Sequence, residues 1–297
     1  MRIVITGANS SVGRNLLGHM AGQQGLSAVG VVRSSRAMAS LPRAGNIQPV
    51  LCPYDDAEGL ARAFEGADCI VHLGGVLFES RGSSYQQANV DSTKVVVETA
   101  KRAAVAQIVF ISVLGAHAGS ANAYFRSKGE AENLISASGL AATVIRTPIL
   151  MSPDNAGGQA LLRSASAGTA KVLGGGHYSL RPLDVDDLSR AILQVCRQPP
   201  AQTLIHELAG PEQIAYSDLI RLVAKSLGKP VRISSIPVWS ARLLSWFSYR
   251  IKKTGMSPAI IEVITASESV SVNADRALGI TLTPLSETIA KLIRKRH

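Results

Sequence analysis

The chain has 297 residues, with 31 Lys and Arg against 21 Asp and Glu for a net charge of +10, and it is 46% hydrophobic and 18% charged. That balance excludes a disordered chain, and the length allows one or two domains with a sizeable core. The excess charge is uneven: residues 221–297 hold 13 basic and 4 acidic residues, and the first 220 hold the other 18 and 17.

In chain order, Ile3-Val4-Ile5 predicts a first strand entering a motif, so no signal peptide is expected in this stretch. A helical pattern follows over Val12–Gln24. Ala28–Val32 is the second apolar run and Pro49-Val50-Leu51 the third; a helix is expected over Asp56–Phe64. Ala67–Leu73 is the fourth run, followed by helical periodicity over Val90–Ala104. Gln107–Ser112 is the fifth run, Tyr124–Ser138 a helix and Ala142–Ile145 the sixth run. The runs are continuously apolar, as strands covered on both faces are. Their alternation with helices predicts an α/β fold, a Rossmann-type doubly wound parallel sheet.

After Pro148 the alternation fades. Helices are expected over Ala156–Gly168, Asp186–Arg197, Tyr216–Leu227 (capped by Ser217), Val238–Lys253 and Leu285–Arg296, with a turn at Gly174-Gly175-Gly176. The expected division is a Rossmann domain over residues 1–150 and a smaller, mostly helical lobe over 151–297, interleaved with it. Cys52, Cys69 and Cys196 lack metal-type or redox-type spacing and read as small buried apolar residues in a reducing compartment. No run is long enough to span a bilayer. These features point to a cytoplasmic protein, with the inner face of the membrane as a peripheral alternative.

The loop Thr6-Gly7-Ala8-Asn9-Ser10-Ser11-Val12-Gly13 joins the first strand to the first helix. Its spacing, Gly7-x-x-Ser10-x-x-Gly13, is that of a dinucleotide loop with the middle glycine replaced by serine. Such a loop needs a tight turn, close backbone approach to a pyrophosphate and a helix N-terminus facing the anion. Ser10 is small, and its hydroxyl could itself donate to phosphate. Arg33 stands 20 residues after Gly13, beside Ser34, where an acid would bind the ribose 2′-hydroxyl of NAD. An arginine there suits a 2′-phosphate, so NADP(H) is favoured and NAD(H) is the alternative; Arg14 is a second candidate cation. The expected loop contacts are Gly7, Asn9, Ser10, Ser11, Val12, Gly13 and Arg14.

Further segments resemble the short-chain dehydrogenase/reductase superfamily in its extended and atypical branches. Asp68-Cys69-Ile70-Val71-His72-Leu73-Gly74-Gly75 is similar to the fourth-strand motif whose glycines lie against the cofactor. Asn89-Val90-Asp91-Ser92-Thr93 is similar to the start of the next helix, with Ser92 where glycine is usual. Phe110-Ile111-Ser112 ends the fifth strand, and Tyr124-Phe125-Arg126-Ser127-Lys128 has the Tyr-x-x-x-Lys pattern. With Arg181–Leu188, these segments look most like the atypical group containing the 39-kDa accessory subunit of respiratory complex I and NmrA-like NAD(P)H-binding proteins, within the NAD-dependent epimerase/dehydratase relatives. The likeness covers residues 1–235 or so.

The resemblance implies cofactor contacts at Leu73, Gly74, Gly75, Asn89, Lys128 and Pro148. It also implies a catalytic set of Tyr124, Lys128 and Ser112. Tyr124 and Lys128 are four apart and share a helix face. An ammonium near a phenol lowers its pKa, and such a tyrosine can pass a proton while hydride moves at a nicotinamide. Ser112 is the expected carbonyl anchor and Ser120 the alternative. Val113 stands where a second serine is frequent in the family, and Pro53-Tyr54 stands where relatives often offer an acid to adenine. His72 reads as a packed strand residue, and Asp184, Asp186 and Asp187 as a helix cap rather than a metal site.

The expected activity is NADPH-dependent oxidoreduction of a small, largely apolar carbonyl or quinone-like substrate. A non-catalytic NADPH-binding accessory protein is the alternative, and a nucleotide-sugar epimerase or dehydratase is third. Nucleic acid is not an expected partner, since no recognition motif accompanies the charge. In Val238–Lys253, Trp239, Leu243, Trp246 and Phe247 fall on one face, and Arg242, Ser245, Tyr249 and Lys252 on another. The favoured reading is a lobe helix packing its aromatics over the substrate pocket. The alternative is an interfacial helix on anionic membrane, helped by Lys291-Leu292-Ile293-Arg294-Lys295-Arg296-His297.

Overall fold

The continuously apolar runs do pair with one another. In the computed structural model, which describes residues 1–252 and 256–294 (backbone only for 247–252), they form β1 (Arg2–Thr6), β2 (Ser27–Val32), β3 (Ile47–Leu51), β4 (Cys69–His72), β5 (Gln107–Val113) and β6 (Ala141–Thr147). A further strand that sequence reading passed over, β7 (Leu204–Glu207), joins the edge. The sheet order is β7-β6-β5-β4-β1-β2-β3, and every pairing is parallel. The order reverses between β1 and β4, and ligands of such sheets bind beyond the strand ends at that reversal.

Helices cover both faces. On one lie α1 (Ser11–Met20) and, from far along the chain, a helix over Val185–Arg197; on the other lie helices over Ala57–Phe64, Ser92–Arg102 and Ala123–Ser136. The strands serve both layers by alternation: Ile3 and Ile5 pack with Leu16, Leu17, Leu188 and Ile192, whereas Val4 packs with Phe64, Ile70 and Phe110. In chain order we number the helices α2 (Ser35–Ala39), α3 (Ala57–Phe64), α4 (Ser92–Arg102), α5 (Ala123–Ser136), α6 (Ala156–Ser166), α7 (Val185–Arg197), α8 (Tyr216–Ser226), α9 (Val238–Lys252), α10 (Pro258–Thr265) and α11 (Leu285–Arg294). A π-helical stretch, Gln86–Asp91, runs into α4.

The C-terminal elements share a third core, in which Leu161, Leu162, Leu219, Val223, Ile289 and Leu292 meet. Thr169–Leu173 pairs in parallel with Arg232–Ile236 there. Two expectations are corrected. Ser217 does not cap α8: Ala215 is the N-cap, and Ser217 lies buried inside the first turn. Helix α10 was not expected, although Ser257 caps it and Pro258 occupies its first turn. The three cysteines are buried and free, and Cys69 and Cys196, 127 residues apart, bring their sulfurs to 3.4 Å. Among the described residues, no helix is long and apolar enough to cross a membrane.

Helix α9 departs from the favoured reading. Trp239 is 70% exposed, Leu243 53%, Leu244 72% and Trp246 45%. Side chains this exposed do not form part of a packed interior. Among the described side chains of the helix the buried one is Ser245, whose hydroxyl donates to the Met256 carbonyl. Phe247, Tyr249 and Lys252 of the expected faces, and Lys253 and Lys295–His297, lie outside the described side chains.

Candidate functional site

The loop after β1 has the geometry its glycines demand. Gly7 has φ +71°, and a Cβ there would lie 3.1 Å from the Leu73 carbonyl. A Cβ on Gly13 would lie 2.5 Å from the Ala8 carbonyl oxygen, so α1 could not pack this closely on the loop with any other residue. Ser10 replaces a glycine usefully. Its Oγ accepts from the Gly13 backbone N–H at 3.0 Å and caps α1, leaving its own hydroxyl hydrogen free to donate. Ser11 and Val12 open the helix, with Val12 buried.

A groove of about 130 Å³ runs from this loop past Arg33 to Leu73, Gly74 and Gly75, and Asn9 lines it too. Arg33 is exposed at the end of β2. Ser34 is spent on capping α2, its Oγ accepting from Ala37 at 3.2 Å. Arg14 is not brought to this groove. Its guanidinium folds back to donate to the Asn9 carbonyl, and it lines a separate, larger cleft beside α7 and α11.

Beneath the groove runs a chain of buried polar groups that sequence reading did not connect. His72 bonds Thr6 Oγ1 through Nδ1 at 2.7 Å and Thr93 Oγ1 through Nε2 at 3.1 Å. The Thr93 hydroxyl donates to the Asn89 carbonyl at 2.6 Å. Burial first, and the Lys128 charge second, push His72 down to about 3, so the ring is neutral. Tyr54 turns inward and its hydroxyl meets Thr6; burial raises its pKa. A Cβ on Gly74 would come within 2.7 Å of that hydroxyl and 2.5 Å of the His72 ring. The only prior signal was that Tyr54 stands where an acid is frequent.

Asn89 ties this floor to α5. Its Oδ1 accepts from Val76 N–H at 2.8 Å, and its Nδ2 donates to Ser127 Oγ at 2.9 Å. A Cβ on Gly75, where φ is +145°, would lie 2.9 Å from Asn89 Oδ1 and 3.8 Å from Lys128 Nζ. Gly75, Asn89 and Lys128 therefore converge, and the cradle beside the groove is one that a side chain at Gly75 would fill. Pro148 is buried just after β6.

Helix α5 starts at Asn122, whose Oδ1 accepts from Tyr124 N–H at 3.0 Å and Phe125 N–H at 3.4 Å. Gly129 is required as well: a Cβ there would meet the Ala118 nitrogen at 2.2 Å. That packing fixes the helix carrying Tyr124 and Lys128 against the strand end. Lys128 donates to the Ile111 carbonyl at 2.9 Å and stands 4.1 Å over the Phe110 ring. Burial pushes it down to about 7, opposed by the nearby charge of Glu132. The expected acidification of Tyr124 is not what this environment does. Burial dominates and pushes the phenol up to about 12, with the Tyr85 ring 5.7 Å away. Protonated phenol is a proton donor at neutral pH.

Ser112 follows Ile111 directly. Its Oγ is buried and has no hydrogen-bond partner among the described residues. An orphaned hydroxyl of this kind costs stability unless something binds it. Ser120, the alternative anchor, accepts from Asn122 N–H at 3.2 Å through its Oγ, which leaves its own hydroxyl hydrogen available. The carboxylates near residue 185 are structural. Asp184 caps α7 by accepting from Asp186 N–H at 2.9 Å, and Asp187 holds Thr283 through its N–H and hydroxyl at 2.7 and 2.6 Å.

Comparison with known proteins identifies the family. Residues 7–174 match the family model described as NAD(P)H-binding. The chain is 21% identical over 265 residues to a mitochondrial NADH dehydrogenase [ubiquinone] 1 alpha subcomplex subunit 9 of Dictyostelium discoideum, covering 87% of this chain and 74% of that protein. It is 23% identical over 235 residues to a ceramide reductase of Caulobacter vibrioides, covering 79% and 73%. The solved structure of MoeE5 in complex with UDP-glucose and NAD superposes with a TM-score of 0.77 at 18% identity, covering 99% of this chain and 98% of that one.

Proposed function

We propose a reductase function from the premise that the chain belongs to the NAD(P)H-binding family, as an atypical short-chain dehydrogenase/reductase. The reading is an NADPH-dependent oxidoreductase that reduces a small, largely apolar carbonyl or quinone-like compound. The observation that carries it is the buried, unpartnered Ser112 hydroxyl, next in chain to the carbonyl that holds Lys128. The loop suits a pyrophosphate: Gly7 and Gly13 leave the backbone approach open, and the Gly75 side of the cradle is clear.

Bound NADPH would supply the hydride. The chain's own residues do the rest. Ser112 donates to the substrate oxygen and polarises the carbonyl. Tyr124 gives its proton to that oxygen as charge develops there, a task suited to a phenol held protonated up to about 12. Lys128 gives one N–H to the Ile111 carbonyl and offers its remaining N–H capacity to the ribose. Arg33 is an exposed cation at the end of β2 that would meet a 2′-phosphate, which favours NADPH over NADH. The apolar substrate class draws support from the likeness to a ceramide reductase.

A second reading is an NADPH-binding accessory protein without turnover. The engaged Lys128 and the likeness to a complex I subunit favour it. Turnover separates the two. Tyr124→Phe is expected to lower NADPH consumption on a carbonyl panel by about 10²–10⁴-fold with NADPH affinity unchanged. If wild type and variant bind NADPH tightly and consume it equally slowly, the reductase reading is lost. Arg33→Asp is expected to weaken NADPH far more than NADH; equal weakening would remove the NADP preference.

A further inference from the structure

We propose that helix α9 is a docking element for an anionic lipid bilayer surface, on which the protein sits peripherally. Three observations carry this inference. The first is exposed apolar area. Trp239, Leu243 and Leu244 are 70%, 53% and 72% exposed, and Met256, between α9 and α10, is 45% exposed. Three large exposed apolar side chains on one short helix are not the scattered exposure of an ordinary surface.

The second is charge of one sign around that area. Residues 229–253 contain Lys229, Arg232, Arg242, Arg250, Lys252 and Lys253, and no Asp or Glu. Arg232 and Arg242 are exposed. A segment that is apolar and rich in cations, with Arg232 and Arg242 exposed, is complementary to anionic headgroups over an acyl boundary. A second copy of this chain would bring the same cations face to face. The third is size. At 15 residues, α9 is about 22 Å long, too short to span a hydrocarbon core of about 30 Å but ample to lie in its interface.

The placement has a consequence for the site. Helix α10 bridges α9 and α5: Ser245 of α9 bonds the Met256 carbonyl, and Asn122 at the start of α5 donates to the Ala259 carbonyl at 3.0 Å and to Glu262 Oε2 at 3.1 Å. Docking through α9 therefore holds α5, with Tyr124, one helix away from the bilayer. An apolar substrate dissolved in the membrane would have a short path; this last step rests on the reductase reading, whereas docking does not.

Both tryptophans of the chain, Trp239 and Trp246, are in α9, so intrinsic emission reports on this helix alone. The test uses the full chain and vesicles of phosphatidylcholine, with and without about one-third phosphatidylglycerol. At low ionic strength the protein should sediment with the anionic vesicles and its emission should shift to the blue. Added salt or omission of phosphatidylglycerol should weaken both signals. The double variant Leu243→Ser/Leu244→Ser, and separately Arg242→Glu, should reduce partitioning about tenfold or more, with thermal stability and NADPH affinity unchanged. No sedimentation with anionic vesicles would overturn the proposal, as would partitioning that ignores these substitutions. So would a blue shift that rises with protein concentration in the absence of vesicles and vanishes in the double variant, which would assign the face to a second copy. None of these readouts involves turnover, so failure here leaves the reductase reading standing and the converse holds too.

Discussion

Lys128 is buried, with the Ile111 carbonyl and the Phe110 ring against its amine, and burial disfavours its charge more than the nearby Glu132 supports it. Its pKa falls from 10.5 to about 7, so between those values the unfolded chain holds a proton that the folded one does not. Stability then rises with pH across that window, because the charging penalty is present in full below about pH 7 and relieved above it. Urea unfolding of the unliganded protein from pH 6 to 10 should show this rise, on the order of a few kcal/mol, and Lys128→Met should flatten it. Equal slopes in the two proteins would mean the amine is better solvated than its burial indicates. Gly13 makes a second prediction at this scale. A methyl group 2.5 Å from the Ala8 oxygen forces the loop off α1, so Gly13→Ala should cost about 1–3 kcal/mol and weaken NADPH more than tenfold. Gly18 in the same helix meets nothing within 4 Å, and Gly18→Ala should be neutral or slightly stabilising, which makes it the control.

The elements that sequence made legible are those whose information is local. Strands β1 to β6 were readable because each is a continuous apolar run, and the turn into α1 because the glycine spacing encodes a shape. Helix α10 carries a start signal, Ser257 capping ahead of Pro258, but eight residues are too few for periodicity to stand out. Strand β7 escaped because its four residues, Leu204-Ile205-His206-Glu207, offer only two apolar residues in succession. Ser217 misled because its residue type fits a cap, whereas the β-bridge of Ile214-Ala215 with Ser179-Leu180 fixes where α8 begins. Asn122 shows what an element boundary can carry that spacing does not reveal. The same side chain caps α5 and ties it to α10. Asn122→Ala should therefore cost about 1–2 kcal/mol through the cap alone. Asn122→Asp keeps the cap but sets a carboxylate against Glu262 and the Ala259 carbonyl. In calorimetry it should recover little of that loss, and hydrogen exchange in residues 258–265 should speed up. Full recovery by Asp would show that the cap, and not the tie, is what matters.

At the scale of the whole chain the decisive contacts join residues that no motif connects. The overall charge of +10 gave no hint that the acids near residue 185 are spent inside. Asp184 is 3% exposed and accepts from Lys291 Nζ at 3.0 Å and Thr288 Oγ1 at 3.0 Å; Asp186 accepts from Asn15 at 2.8 Å, Lys291 at 2.8 Å and His19 at 3.2 Å. One lysine of α11 thus closes the C-terminal helix onto α7 and, through Asp186, onto α1, the helix that opens the dinucleotide loop. The bond from His19, with those from Lys291 and Asn15, holds the Asp186 carboxyl far below its usual 3.8. A depressed carboxylate contributes stability that is present above its unfolded pKa and lost as pH falls through lower values. Lys291→Met removes the shared cation and leaves Asp184 buried with two neutral donors. Near neutral pH it should cost about 3 kcal/mol, the order expected for breaking a buried pair from one side. Below about pH 4, where Asp186 of the variant, relieved of Lys291, begins to take up a proton, the gap between wild type and variant should narrow, because protonation removes a charge the lysine was there to meet. Denaturant unfolding at a series of pH values reads both effects. Parallel stability curves from pH 3 to 7 would mean that α11 is held by the Leu285, Ile289 and Leu292 packing alone, and that the charge cluster does not couple the C-terminal helix to the nucleotide-binding half.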